Sequence, residues 1–282
     1  IPIYILYGFF RILPLDVASA FGGFMLRHLG PYFKKKKVAE KNLRKAFPEK
    51  SEAEIQQIMV GMWDNLGRVL GEFPHLSRIK VFTDPKRIIL EGEELAQREL
   101  DAGKPLVLFA AHLANWEVSS LLAAIRGIHL HRIYRISNNP FIEKLVVFSR
   151  RKILGDLLPK GKAGARRLKE LLNERATLGM LVDQKFNRGE MMPFLGHPAP
   201  CLTSYIEFGY SYGYSLIPAQ VQRLKGAHFK VTVFPKIELR DLGNKKENIR
   251  DALSQVNTLF ESWIRQHPEQ WLWIHNRWPK ES

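Results

Sequence analysis

From about residue 85 onward, short apolar runs alternate with longer stretches of helical periodicity, and this alternation most constrains what the chain can fold into. Strands are expected near 87–91, 105–110, 129–136, 177–183, 215–223 and 228–237. Helices are expected near 93–102, 115–126, 140–155, 162–174, 202–212 and 247–266. Pro140 suits a first helical turn, with Asn139 as its cap. Strands separated by helices imply an α/β fold, a mixed central sheet flanked by helices on both faces. The pattern does not give the strand order.

Ahead of this region, residues 38–73 read as helical. Ser51 and Glu54 have the spacing of a capping box, and Ile55, Ile58, Met59, Met62, Trp63, Leu66, Val69 and Leu70 then recur as a core face. Residues 1–37 are different. They are apolar and aromatic, broken by Arg11, Asp16 and Arg27, and they end in the basic run Lys34 to Lys37. A spanning helix needs about 20 residues with few charges, and this segment falls short. Ile1 stands where an initiator Met is usual, so upstream residues could complete a span. The expectation is a membrane-associated helical segment over 1–37 with its lysines on the cytoplasmic side, followed by a single α/β domain over 38–282.

The chain has 282 residues, 45% of them hydrophobic, enough for a sizeable core. The formal net charge is +15 and the pI about 9.9. Such a surplus favours polyanionic partners: nucleic acid, anionic lipid or an acidic carrier protein. The single cysteine, Cys201, excludes an internal disulfide and a Cys-rich zinc site. The nine histidines form no HExxH motif, so neither a metal nor a cofactor is expected. His129 and His131 alternate on a strand with no third ligand and read as structural.

The chemistry concentrates in "PLVLFAAHLANWEVSS". His112 falls at the carboxyl end of a buried strand and Glu117 in the first turn of the next helix. Open α/β sheets bind ligands at the carboxyl ends of their strands. The short loop is expected to fold Glu117 back onto His112. A carboxylate accepting from one imidazole nitrogen leaves the other free to take a proton, and it stabilises the imidazolium. An H-x4-E spacing alone is common, so the surroundings decide its weight. Asp183 and Gln184 close another apolar strand. Arg135 ends the 129–136 strand, and Arg150 lies in the following helix.

"HLANWE", "YRISNNP", "LVDQKFNRGEMMPFLGHPAP" and "PEQWLWIHNRW" follow one another in an order and spacing that resembles the bacterial lipid A biosynthesis late acyltransferases, the lauroyl/myristoyl acyltransferase family. The resemblance spans essentially the whole chain. It implies a glycerolipid-acyltransferase-like sheet and an O-acyltransferase whose catalytic residues are His112 and Glu117. It implies an acyl carrier protein thioester as donor and the hydroxyl of a 3-hydroxyacyl chain on a lipid A precursor as acceptor, with no acyl-enzyme. The expected location is the cytoplasmic face of the inner membrane, on an anionic surface. Arg150 would lie in the active-site cleft as an oxyanion donor, beside backbone N–H groups from the helix start near Asn115. Arg135 would bind a phosphate. Asp183 and Gln184 would shape the site, with an Asp-to-Arg bridge across the cleft. "MMPFLGHPAPCLTS" reads as a Pro- and Gly-bearing loop that feeds a helix at Thr203; many relatives have Arg where this chain has His197, and Met or Val where it has Pro200, which weakens any phosphate-binding role for that loop. Trp271, Trp273 and Trp278 fit either an interfacial belt or the core.

Two other readings stay open at this point. The same dyad serves glycerophospholipid and phosphoinositol-mannoside acyltransferases, which use a coenzyme A thioester. The basic patches "FKKKK", "SRRK" and "GKAGARRLK" would also suit a non-catalytic module that binds a membrane surface or nucleic acid. No zinc-finger, RNP or helix-turn-helix signature is present, so nucleic acid is not the expected partner.

Overall fold

The computed structural model describes residues 2–78, 84, 86–134, 136–159 and 161–279. Four helices come first: α1 (Pro2–Ile12), α2 (Leu15–Leu29), α3 (Lys36–Ala46) and α4 (Glu52–Glu72). Then follow β1 (Ile88–Glu91), α5 (Glu93–Asp101), β2 (Leu106–Ala110), α6 (Glu117–Ile125), β3 (His131–Tyr134), α7 (Pro140–Arg150), β4 (Leu157–Pro159), α8 (Lys162–Asn173) and β5 (Leu178–Leu181). The chain continues through β6 (Glu190–Phe194), β7 (His197–Cys201), α9 (Ser204–Tyr212), β8 (Ser215–Lys225), β9 (His228–Val233) and α10 (Lys245–Gln266).

Seven strands form one sheet in the order β1-β9-β8-β2-β5-β3-β4. Every ladder in it is parallel except β8 with β9. β2 lies at the centre, and its alternate residues enter different cores. Val107 and Phe109 pack with Leu171 of α8 and Phe260 of α10, whereas Leu106 and Leu108 pack with Ala96 of α5. Cover on both faces explains why "LVLFA" is apolar throughout rather than alternating. This is the expected mixed sheet flanked by helices.

Several elements differ from expectation, β9 among them, which ends at Val233 rather than near 237. The 38–73 helix is interrupted at Phe47–Ser51, where Ser51 caps α4 in a full capping box with Glu54. α7 ends at Arg150, and a three-residue strand, β4, follows it on the sheet edge. The segment expected to be a Pro- and Gly-bearing loop is a hairpin of β6 and β7. Its turn residues, Leu195 and Gly196, both have positive φ, as a two-residue turn of type I′ requires. Pro193 pairs opposite Pro198, which a two-stranded ribbon tolerates because each strand has an edge free of ladder bonds.

α2 crosses α4 with backbone against backbone. A Cβ at Gly22 would meet the Gly67 carbonyl oxygen at 2.3 Å, and one at Gly71 would meet the Ala18 oxygen at 2.2 Å. α1 reaches α7 through aromatic pairs, Tyr4 with Phe141 and Tyr7 with Phe148, and Tyr7 hydrogen-bonds Ser149 at 2.7 Å. The outer side of these helices exposes Ile5, Phe9, Ile12, Phe24 and Phe141. Among the described residues, no helix is long and apolar enough to cross a membrane. Trp271, Trp273 and Trp278 belong to the core, all of them buried.

Candidate active site

β2 delivers His112 just beyond its carboxyl end, and neighbouring β5 delivers Asp183 just beyond its own. Parallel pairing of these strands makes the two residues meet, although 71 positions separate them in sequence. Asp183 Oδ1 accepts from His112 Nδ1 at 2.7 Å. Its Oδ2 accepts from the His112 backbone N–H at 3.0 Å and from Trp271 Nε1 at 2.8 Å. A buried carboxylate with both oxygens engaged can only accept, so Nδ1 carries a proton, and in the neutral imidazole the lone pair is left on Nε2. The Gln184 amide donates towards Nε2 at 3.3 Å, and Trp116 packs edge-on against the imidazole at 5.1 Å. Burial raises the Asp183 carboxyl, but the His112 charge and the hydrogen bonds from His112 and Trp271 outweigh it and hold the group at about 2.

The expected hydrogen bond between Glu117 and His112 is not formed. Both Glu117 oxygens are taken by Arg150 in a bidentate pair: Nε donates to Oε2 at 2.9 Å and Nη2 donates to Oε1. Among the described residues, no arginine pairs with Asp183, and Arg150 is engaged by Glu117 instead. The two carboxylates have exchanged the partners assigned to them from sequence: Asp183 holds the histidine and Glu117 holds the arginine. Burial pushes the Glu117 carboxyl up, while the charge and hydrogen bonds of Arg150 bring it below the usual range. Arg150 also lies over the Phe73 ring at 5.9 Å.

Asn115 does not face the cleft. It is fully buried, donates to Glu72 Oε2 at 2.7 Å and accepts from the Glu117 backbone N–H at 3.2 Å. The Val118 N–H is likewise spent, on the Asn115 carbonyl. The start of α6 therefore does not supply those two N–H groups to an oxyanion. Asn115 instead joins a buried network that fixes the loop. Glu72 pairs with Arg223, Asn65 donates to the Ala114 carbonyl, and Ser19 of α2 donates to Glu72 at 2.7 Å. These bonds hold Ala114 at φ 48°, a conformation that costs an L-residue about 1–2 kcal/mol. Sequence reasoning missed Glu72 and Arg223, which lie far from every motif. The signal was a Glu at the end of an otherwise apolar helix face.

Arg135 lies outside the described residues. His197 donates to or accepts from nothing in the cleft; its Nε2 bonds the Lys45 carbonyl at 2.9 Å. His131 Nδ1 accepts from the Asp156 N–H at 3.1 Å, a structural role. No group of three metal-ligating side chains occurs among the described residues.

His112, Trp116, Glu117, Arg150 and Gln184 line a cleft of about 690 Å³ whose other walls are mostly apolar residues of α1, α2, α4 and α7, among them Leu6, Met25, Leu66 and Val146, with Tyr134, Ser137 and Glu143 also on it. Its size falls within the range of roughly 300–1,000 Å³ usual for ligand sites. The imidazole thus borders a largely apolar cleft. That geometry suits removal of a proton from a hydroxyl on a lipid.

Residues 3–280 match the family described as bacterial lipid A biosynthesis acyltransferase. The chain is 24% identical to a lipid A biosynthesis acyltransferase of Haemophilus influenzae over 280 residues, covering 94% of this chain and 85% of that protein. It is 22% identical to the lipid A biosynthesis palmitoleoyltransferase of Escherichia coli K12 over 275 residues, covering 94% and 86%. A solved structure, that of the 1-acyl-sn-glycerophosphate acyltransferase PlsC from Thermotoga maritima, covers 94% of this chain and 98% of its own at 11% identity, with a TM-score of 0.41. The protein is an O-acyltransferase, and with nearly its whole length matched it belongs to the bacterial lipid A biosynthesis acyltransferase family.

Proposed function

We propose that the protein moves a fatty acyl chain from an acyl carrier protein thioester to the hydroxyl of a 3-hydroxyacyl chain on a lipid A precursor. The observation that carries this reading is His112, which lines a largely apolar cleft with Nε2 beside the Gln184 amide while Nδ1 donates to a buried carboxylate. In the proposed step, Nε2 takes the proton of the acceptor hydroxyl as that oxygen bonds to the thioester carbonyl carbon. The carbonyl π electrons move to oxygen. When the tetrahedral species collapses, the C–S bond breaks and the imidazolium returns its proton to the thiolate. No acyl-enzyme is required.

Asp183 holds the imidazole in register and offsets its positive charge. Glu117 acts through Arg150: it fixes the guanidinium in the cleft wall, where the cation stabilises the oxyanion. The net charge of +15 favours an acidic carrier over a neutral donor and favours an anionic lipid surface. The exposed aromatic side of α1, α2 and α7, with the lysines after α2, is suited to rest on the cytoplasmic face of the inner membrane.

A panel of acyl carrier protein and coenzyme A thioesters, offered with a tetra-acylated lipid A precursor and with lysophosphatidate, tests the donor and acceptor together. The expected result is product with the carrier-bound donor and the lipid A precursor. Preferential acylation of lysophosphatidate from coenzyme A would reject the assignment.

A further inference from the structure

Attack on a thioester places negative charge on its carbonyl oxygen, and that oxygen needs hydrogen-bond donors. The loop after β2 has most of its backbone donors engaged elsewhere. The N–H of His112 is bound to Asp183, that of Leu113 to the Ala111 carbonyl and that of Ala114 to the Gln270 carbonyl, while those of Glu117 and Val118 both go to Asn115. Arg150 supplies a cation, but two of its nitrogens are turned to Glu117. A donor aimed at the base itself comes from the neighbouring strand, β5.

Gln184 follows Asp183 just beyond the carboxyl end of β5. Its neighbours fix its main chain: Val182 donates to the Ala110 carbonyl at 3.1 Å, Asp183 is held by His112 and Trp271, and Phe186 donates to the Pro200 carbonyl at 3.4 Å. The side chain lies half-buried on the catalytic cleft, and its amide nitrogen stands 3.3 Å from His112 Nε2. In the neutral imidazole Nε2 can only accept, so the end of the amide that faces it is the NH2 group. Among the described residues, no other hydrogen bond engages the Gln184 side chain.

We propose that Gln184 is a catalytic residue whose side-chain amide donates a hydrogen bond to the oxyanion of the tetrahedral species, a role that rests on the acyl-transfer reading above. The acceptor hydroxyl must occupy Nε2 to lose its proton, and it displaces the amide from that nitrogen. The attacked carbonyl carbon bonds to the same hydroxyl oxygen, so the oxyanion forms within reach of an N–H that started 3.3 Å from the base. As the O–C bond forms, the hydroxyl proton passes to Nε2 and the carbonyl π electrons pass to oxygen. The amide donates to that oxygen and transfers no proton. When the C–S bond breaks, the carbonyl re-forms and the imidazolium protonates the thiolate. The amide contact strengthens as charge develops, which is the condition for raising kcat rather than lowering KM.

Acyl transfer by the full chain tests this in wild type, Gln184→Met, His112→Ala and the double variant, with the donor and acceptor that wild type turns over in the panel above. Methionine keeps the length of the side chain and removes the donor. Circular dichroism checks each variant's fold. Q184M is expected to lose roughly a hundredfold to a thousandfold in kcat, with KM for donor and acceptor little changed. The double variant is expected to fall at least about tenfold below H112A, because oxyanion donors keep working when the base is gone. Retention of more than about a tenth of wild-type kcat by Q184M, or a loss confined to KM, overturns the proposal. So do equal rates for H112A and the double variant, since Gln184 would then act only by orienting His112. If Q184M does not fold, Gln184→Glu, which keeps the shape and at neutral pH has no hydrogen to donate, is expected to lose at least as much, and its retention of more than about a tenth of kcat overturns the role equally. No turnover by wild type with any donor rejects the acyl-transfer reading and this role with it, whereas equal turnover by wild type and Q184M rejects this role alone.

Discussion

Asp183 Oδ1 lies 2.7 Å from His112 Nδ1, and the same carboxylate receives the His112 backbone N–H through its other oxygen. One side chain therefore fixes both the position of the histidine and the nitrogen that carries its proton. Nitrogen-15 NMR of histidine-labelled protein is expected to show the Nδ1–H form for neutral His112. In Asp183→Asn, where an amide replaces an obligate acceptor, that preference is expected to be lost.

Glu117 and Arg150 form a buried bidentate pair on the opposite wall. Removing one member leaves the other charge buried and unpaired, so Glu117→Gln should cost about 3–5 kcal/mol of stability. Adding Arg150→Met should recover most of that loss without recovering activity. A denaturant double-mutant cycle measures the first effect and an acyl-transfer assay the second. Additive stability losses would show that the pair is not coupled.

The pH dependence follows from Asp183. Its ordinary value is 3.8 and its folded value about 2. A carboxylate with a lowered folded pKa contributes stability that is fully present above the unfolded value and is lost as pH falls through the folded one. The window is therefore about pH 4 down to about pH 2. Thermal melting in that range should fall more steeply for wild type than for Asp183→Asn. Parallel curves would mean that Asp183 is not held low.

The charge surplus gives a kinetic prediction. If an acidic carrier is steered to the cleft, kcat/KM with a carrier-bound donor should fall several-fold between about 50 and 500 mM salt, because screening shortens to a few ångströms over that range. A thioester with no carrier should respond much less. A flat response with the carrier argues against steering.

Much of this molecule was legible in the sequence. β2 and β5 stood out because strands covered on both faces read as unbroken apolar runs, and His112 was placed by its position after one of them. The pairing of the carboxylates was not legible. Glu117 is five residues from His112, and short separation favoured it, whereas Asp183 reaches His112 only because β2 and β5 are neighbours in the sheet. Strand order depends on long-range packing, which periodicity does not encode. β4 was too short for a pattern, and Pro193, Pro198, Pro200 and Gly196 made β6 and β7 look like a loop. The role of Asn115 was hidden because Glu72, its partner, comes from a helix 43 residues away.

The most direct test of the account is the steady-state acyl-transfer rate of His112→Ala and Asp183→Asn beside wild type, with a carrier-bound donor, a tetra-acylated lipid A precursor and circular dichroism to confirm the fold. General-base catalysis supplies roughly a hundredfold to ten-thousandfold, so both folded variants should lose at least about a hundredfold in kcat. Retention of more than a tenth of the wild-type rate by His112→Ala would contradict the proposed base, and retention by Asp183→Asn alone would contradict the role given to its partner.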